Sequence, residues 1–484
     1  MDNIEKDYNF TREEFDSCIK VLRALAKDPY ASPNTEMIKG LIAKIYKKVR
    51  KDNKKAIQNL RKDFDNELLE STIVKKLPEN SLENMYINND ILSLESKDQD
   101  FKNNFNPNII KKKESILIKP INCYICKRNY NQVHFFYHLL CPECAEFNYK
   151  KRFQKVDLSG RTALITGGRI KIGFETALKL LRDNAKVILT TRFPYDASLR
   201  FSQEKDFEQW KDNLKIYGLE LRNLPLVELF IKHIIDKYDS LDIIINNAAQ
   251  TIKRPLEFYN HLILKEEELK RNRITDFIVN DIFNYSPNKY LPEIKQDDKN
   301  LITKNNYFPT EQYDTFLQQV DLRPENSWVL TLDKVDTLEL IETHLVNSFA
   351  PFIINSKLKV LMNKSKFDKK FIINVSAMEG QFNRKNKTEF HPHTNMAKAA
   401  LNMMTRTSAK QYAKENIFMN SVDTGWITQE NPYHKMYKLR KKGFVPPLDI
   451  IDGASRVYDP IVSGILENEP IFGKFLKDYK EYDW

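Results

Sequence analysis

No apolar run in this 484-residue chain reaches the roughly 18 residues of a membrane-spanning helix. The opening residues Met1–Lys6 carry no apolar stretch of the kind that directs secretion. Both absences lead us to expect a chain without a membrane span, at home in the cytoplasm. Cysteine is scarce. Five residues are too few to staple a secreted scaffold of this length, and four of the five stand as two CxxC pairs, which points to a metal in a reducing compartment. A strong excess of one charge is also missing: Lys+Arg 77 against Asp+Glu 66 leaves +11. Much of that excess lies in mixed helical runs before residue 155. It reads as solvated helix faces, so nucleic acid is not expected as a partner.

With 41% hydrophobic and 30% charged residues, the chain has material for two or three globular domains. Residues 1–75 read as a helical N-terminal region. Thr11 and Glu14 have the spacing of a capping box, and Phe15, Cys18, Ile19, Leu22 and Leu25 recur at helical intervals. That periodicity makes Cys18 a small core residue. A second helical run from about Thr35 to Ser71 sets Ile38, Leu41, Ile42, Ile45 and Tyr46 on one side as a packing face. Residues 76–118, rich in Asn, Asp, Ser and Lys, read as a disordered linker. Residues 119–150 hold the paired cysteines.

From 151 to 484, short β-rich runs alternate with helical ones. Strands are expected at Thr162–Thr166, Lys186–Thr191, Leu241–Asn246, Phe371–Val375 and Ile417–Val422. Helices are expected at Ile172–Asp183 and near 225–237, 335–362 and 393–414. The alternation implies an α/β fold, a Rossmann-like doubly wound parallel sheet with helices on both faces. Residues 251–333 interrupt it as an insertion, helical over 257–275 and polar over 284–306, expected to be a lid or a flexible excursion. Within it Trp328, close to the Arg323-Pro324 step, marks an ordered piece.

The first expected strand runs into Gly167-Gly168, and a helix opens near Gly173. A tight strand-to-helix turn aims backbone N–H groups at a diphosphate. Arg192 follows the second strand, where an arginine accommodates a ribose 2′-phosphate, and Arg169 lies in the turn itself. Both favour NADP over NAD.

At this point residues 155–484 resemble the short-chain dehydrogenase/reductase family. The residues that carry the resemblance are Thr166-Gly167…Gly173, Asn246-Asn247-Ala248-Ala249, Val346-Asn347, Asn374-Val375-Ser376, Lys398 and Asn420-Ser421-Val422-Asp423-Thr424-Gly425. The resemblance implies that Thr166, Gly167, Ile172 and Gly173 line the diphosphate turn and that Asn247 and Ala248 pass the cofactor ribose. It places Glu220 where an adenine-contacting Asp usually stands. It implies that Asn347 holds a water in a proton relay and that Lys398 binds the nicotinamide ribose. Gly425 and Thr428 match the loop that touches the carboxamide. Members commonly pair through the helices carrying Asn347 and Lys398, so a homodimer is possible.

The departures are chemical. Lys171 stands where the family's turn has another glycine, and offers its ammonium to a phosphate or points away. Thr424 replaces the usual Pro. Thr394 replaces the Tyr four residues before Lys398, a spacing that puts both on one helix face so that the cation depresses the phenol's pKa. A threonine hydroxyl donates a hydrogen bond but is a poor acid. Ala377 replaces the Ser that polarises a carbonyl, while Ser376 faces the other way unless the strand end bulges. His391 and His393, at the start of that helix, are alternative proton carriers, as is Glu379.

Cys123 and Cys126 are followed, after 14 intervening residues, by Cys141 and Cys144. Two knuckles at this spacing fit a tetrahedral zinc with four thiolates and no open position, hence a structural zinc-ribbon-like module. His134 and His138, between the knuckles, read as surface or packing residues. The expected function is that of an NADP-dependent oxidoreductase moving hydride to or from a small organic carbonyl, alcohol or activated double bond. The alternative is a nucleotide-binding protein without turnover that uses its zinc module for interaction.

Overall fold

The structure, a computed structural model, describes residues 10–30, 36–77, 115–272, 278–280, 307–384 and 386–484, together with the backbone of 87–88. Most of the expected linker and all of the polar stretch 284–306 lie outside the described residues. By contacts the chain divides into Met1–Glu67 and Leu68–Trp484.

In the first unit, helix Arg12–Lys27 starts on the expected capping box: Glu14 N donates to Thr11 Oγ1 at 3.3 Å, and Thr11 N to Glu14 Oε2 at 2.7 Å. No described residue of this helix, or of the long helix Glu36–Glu70, is buried. Cys18 is therefore exposed and not the core residue its periodicity suggests, because two helices alone enclose no core.

The second unit is built on seven parallel strands: β1 (Thr162–Thr166), β2 (Lys186–Thr191), β3 (Leu214–Gly218), β4 (Ile243–Asn246), β5 (Lys370–Ser376), β6 (Ile417–Asp423) and β7 (Phe475–Lys477). Their order is β3-β2-β1-β4-β5-β6-β7, with Val279–Asn280 added beyond β3 and Lys480–Tyr482 antiparallel beyond β7. The order reverses between β1 and β4, which opens a crevice at the carboxyl ends of the strands. Side chains alternate strictly. Ala163, Ile165, Val187, Leu189, Ile243 and Ile245 join one core layer, while Leu164, Ile188 and Ile244 join the other. Helices cover both faces, so the centres of β1, β2 and β4 are runs of apolar residues on both sides.

Six helices matter below: α1 (Lys171–Arg182), α2 (Leu256–Asn272), α3 (Thr337–His344), α4 (Ala350–Met362), α5 (Pro392–Ala413) and α6 (Ile450–Leu466). A buried polar network ties α4 and α5 to the central strands. Asn246 Nδ2 donates to Asn355 Oδ1 and to Asn374 Oδ1, both at 2.8 Å, and Asn374 Nδ2 donates to Thr405 Oγ1 at 2.9 Å.

The cysteine module begins earlier than expected, at strand Ile116–Asn122, because that strand pairs with Asn129–Gln132 as a hairpin. It continues into helix Pro142–Arg152, which is clamped to α6. Arg152 Nη1 donates to Asp449 Oδ1 at 2.6 Å and to Asp452 Oδ1 at 3.0 Å, Tyr137 Oη donates to Asp452 Oδ1 at 2.5 Å, and Arg456 Nη2 donates to Asn148 Oδ1 at 2.7 Å. Ile73, Val74 and Leu77 pack into the same cluster, so the end of the expected helical region belongs to this module.

Candidate active site

The turn after β1 is shaped by what cannot fit there. Gly167 has φ +70°, and a Cβ on it would lie 2.8 Å from Ala248 Cα. A Cβ on Gly173 would lie 2.2 Å from Gly167 O. Thr166 Oγ1 accepts the N–H groups of Asn247 and Ala248, both at 3.1 Å, and Asn247 Nδ2 donates to Thr166 O at 3.1 Å and Gly167 O at 2.9 Å. These residues fix the turn's form. Ile170 caps α1 without a side-chain hydrogen bond, and no acidic residue sits in the first helical turn, so the dipole there is unopposed.

Lys171 takes a left-handed conformation, with φ +55°, a strained position for a side chain other than glycine. Its ammonium lies 5.3 Å from the ring centre of Phe316, in the insertion, and its charge draws down the buried Asp314 carboxyl, which burial pushes up overall. Arg169 is tied to a structural hub. Its Nη1 donates to the fully buried Asp196 at 2.8 Å, and Arg200 and Lys265 reach the same carboxylate at 2.7 and 2.9 Å. At the end of β2, Arg192 Nη2 donates to Tyr259 Oη at 3.0 Å, with the guanidinium 4.5 Å from that ring's centre. Glu220, past β3, accepts from Arg222 Nη2 at 2.6 Å. Burial pushes its carboxyl up, but the nearby Arg192 and Arg222 outweigh that and hold it low.

Across the crevice, Lys398 Nζ is buried and donates to Val375 O at 2.8 Å. Burial pushes its ammonium down to about 8, against the pull of Glu379. One turn earlier on α5, Thr394 is 4% exposed, and its Oγ1 is buried without a hydrogen-bond partner among the described residues. Ser376 donates to Asn402 Oδ1 at 2.7 Å, and β5 pairs with β6 in unbroken register, so no bulge swings it toward Lys398. Asn347 sits in a π-helical turn, Leu345–Phe349, between α3 and α4. Such turns re-aim side chains. Asn347 clamps the irregular segment after β4 by two bonds: Gln250 N donates to its Oδ1 at 2.7 Å, and its Nδ2 donates to Gln250 O at 3.0 Å.

The two histidines divide. His393 faces Glu339 of α3, with Nε2 3.3 Å from Oε1. His391, at φ +44°, stacks on Trp328 with ring centres 4.0 Å apart and planes 5° from parallel. Its Nδ1 lies 2.9 Å from Trp328 O, and burial lowers its pKa. A carbonyl only accepts, so Nδ1 carries the hydrogen and Nε2 of the neutral ring is an acceptor. His391, Trp328, Glu379, Arg384, Asn395 and Asn431 line a cavity of about 230 Å³.

Gly425 has φ +83°, and a Cβ there would lie 2.6 Å from Leu448 Cδ1. Thr428 Oγ1 donates to Glu430 Oε1 at 2.8 Å. Asp423, at the end of β6, is a residue that sequence reasoning missed. It accepts Met378 N at 3.2 Å, and burial pushes it up to about 6, opposed by Lys477. The signal available was a charge closing an otherwise uncharged strand. The sulfur atoms of Cys123, Cys126, Cys141 and Cys144 all lie within 4.8 Å of one another. His138 instead packs against Val445 O through Nε2, at 3.2 Å.

A family model for the short chain dehydrogenases matches residues 161–272. "Uncharacterized protein R665" of Acanthamoeba polyphaga mimivirus is 33% identical over 354 residues, which is 70% of this chain and 71% of that protein. The (-)-isopiperitenone reductase of Mentha piperita is 23% identical over 284 residues, 57% of this chain and 86% of that enzyme. The (+)-neomenthol dehydrogenase of Capsicum annuum is 29% identical over 123 residues, 23% of this chain and 38% of that enzyme.

Proposed function

The chain belongs to the short-chain dehydrogenase/reductase family, and on that premise we propose that it is an NADP-dependent oxidoreductase acting on a small organic carbonyl, alcohol or activated double bond. The observation that carries this reading is Lys398. A buried ammonium has three donors, and Val375 O takes one. A buried lysine with its pKa pushed down to about 8, in a cleft at the strand ends, is costly to keep unless it serves a ligand. The unpartnered Thr394 hydroxyl one turn away on the same helix face supports the same place.

The residues present fit a dinucleotide. The Gly167 turn and the start of α1 would hold the diphosphate, Arg192 the 2′-phosphate, Lys398 the nicotinamide ribose, and Gly425 and Thr428 the carboxamide. NADP(H), when bound, supplies the hydride chemistry. The protein's own part is to orient, exclude water and move a proton. Thr394 offers a neutral hydrogen bond to a substrate oxygen. His391 and Glu379 line the cavity, the Glu379 carboxylate paired with Arg384, and His391 is our candidate for proton removal from an alcohol. The names of the peppermint and pepper relatives support a small organic substrate.

We also read the four-thiol cluster as a structural zinc site, and the helices flanking Asn347 and Lys398 as a homodimer face. Phe349, Phe352, Val360, Met396 and Met403 on them are 48% to 58% exposed. Titration with NADPH and NADH, followed by nucleotide fluorescence, tests the reading. NADPH should bind more tightly, and Arg192→Ala should remove that preference. Equal affinities in the unaltered protein, or no binding, would overturn it.

A further inference from the structure

The cysteine module does more than brace the N-terminal side of the fold. Its first knuckle reaches over the carboxyl ends of the strands. Tyr124, between Cys123 and Cys126, is fixed by its own backbone: Tyr124 N donates to Leu139 O at 2.8 Å, just before the second knuckle, and Cys123 N donates to Arg128 O at 2.9 Å. From that position Tyr124 Oη accepts the N–H of Trp426 at 3.0 Å. Trp426 follows Gly425 directly and lies in the loop that the family resemblance assigns to the nicotinamide carboxamide. The contact is tertiary, from a phenol held by one knuckle to a backbone group of a loop far along the chain.

The loop is also held by packing: Trp426 lies against Phe444 with ring centres 5.0 Å apart, and a Cβ on Gly425 would lie 2.6 Å from Leu448 Cδ1. On its other side Ile427 is pressed between α6 and α1: a Cβ on Gly453 would lie 2.3 Å from Ile427 Cδ1 and 3.1 Å from Ile172 Cγ1. Ile427, Leu448 and Ile450 share one apolar cluster with Cys123 and Cys141, and Ile172, from the diphosphate turn, packs against it. The module, the carboxamide loop and the start of α1 are thus one packed body. The knuckles themselves stay together only if something neutralises and joins four sulfurs. Cys126 and Cys141 Sγ are 3.6 Å apart, close to the roughly 3.8 Å that a tetrahedral zinc with bonds of about 2.3 Å imposes. Soft thiolates in a closed tetrahedral set select zinc over the hard cations.

We propose that zinc bound by Cys123, Cys126, Cys141 and Cys144 sets the position of Tyr124, and through Tyr124 the conformation of the Gly425–Thr428 loop, so that the metal controls affinity for the nicotinamide half of the cofactor. Tyr124 is a positioning residue in this scheme. The inference rests on the NADP reading above and adds a metal-dependent element to it. Loss of the metal frees the knuckle, the Trp426 N–H loses its acceptor, and the loop no longer presents one fixed face. The adenosine end, at Arg192 and Tyr259, lies on the β2 side of the sheet and is untouched by this contact.

The test uses the full chain and two ligands. NADPH probes both halves of the site, and adenosine 2′,5′-bisphosphate probes the adenosine half alone. Tyr124→Phe keeps the ring and removes the acceptor. It should retain one zinc per chain by elemental analysis, weaken NADPH by about three- to tenfold, the worth of one hydrogen bond, and leave the bisphosphate unchanged. Cys126→Ser should lose zinc and weaken NADPH at least as much. Should that variant fail to fold, Tyr124→Phe still decides. Unchanged NADPH affinity in Tyr124→Phe, equal weakening of both ligands, or an unaltered protein that carries no zinc overturns the inference alone. An unaltered protein that binds neither ligand overturns the NADP reading on which it stands.

Discussion

At the scale of single residues, Lys398 and Thr394 make opposite demands. The ammonium of Lys398 is held in a site that pushes it down to about 8, against an ordinary lysine value of about 10.4. Between those values the unfolded chain binds more protons than the folded one, so the ligand-free protein gains stability as pH rises through that window. Cofactor binding runs the other way, because ribose hydroxyls need the charged donor. NADPH affinity should fall as pH rises through about 8, and Lys398→Met should bind weakly with a flat profile, both read by fluorescence titration. Thr394 carries a buried hydroxyl with no partner among the described residues, a state that costs about 1–3 kcal/mol. Thr394→Val should therefore fold as stably as the parent or more so in thermal denaturation. Its turnover should drop by about tenfold or more, as one transition-state hydrogen bond is lost. A variant that is less stable and equally active would contradict this assignment.

At the scale of elements, Asp196 is the joint to examine. It lies in helix Pro194–Ser202 and binds Arg169 from the turn after β1, Arg200 from its own helix and Lys265 from α2. Burial pushes its carboxyl up, but the three cations outweigh that and hold it far below the ordinary range. Asp196→Asn leaves buried cations uncompensated and should cost about 3–5 kcal/mol in denaturant unfolding. The elements differ in how plainly the sequence announced them. β1, β2, β4 and β5 are apolar runs between turn residues, and their frame carries Gly167, Asn247 and Lys398. β3 was not legible because Lys215 and Gly218 break its short pattern. α6 was hidden by Asp452, Arg456 and Asp459, buried polar residues whose partners come from the cysteine module and, for Arg456, also from Asp478. The contact of Lys171 with Phe316 depends on where the insertion folds back, which local periodicity does not encode. His391 read as a candidate proton carrier, yet its stacking on Trp328 joins two segments whose meeting only the fold decides.

At the scale of the whole molecule, no described helix is long and apolar enough to cross a membrane. Phe349, Phe352, Val360, Met396 and Met403, on α4, α5 and the π-helical turn, are exposed, and on the homodimer reading proposed above they form the contact face. Sedimentation should show a dimer that becomes a monomer in Phe352→Asp combined with Met403→Asp, with thermal stability of the isolated subunit nearly unchanged because both side chains are exposed. A parent that sediments as a monomer would contradict the homodimer.

The sheet opens a crevice at the strand ends, and the insertion and the cysteine module both approach it, the first through Phe316 and the second through Tyr124. On our reading this crevice receives a nicotinamide dinucleotide despite the cation at position 171. A crystal structure of the zinc-loaded protein with NADPH tests it most directly. Density should run from the Gly167 turn to Gly425, with a ribose hydroxyl within hydrogen-bond distance of Lys398 Nζ. A crevice filled instead by Lys171 and Phe316, with no nucleotide density at saturating NADPH, would contradict it.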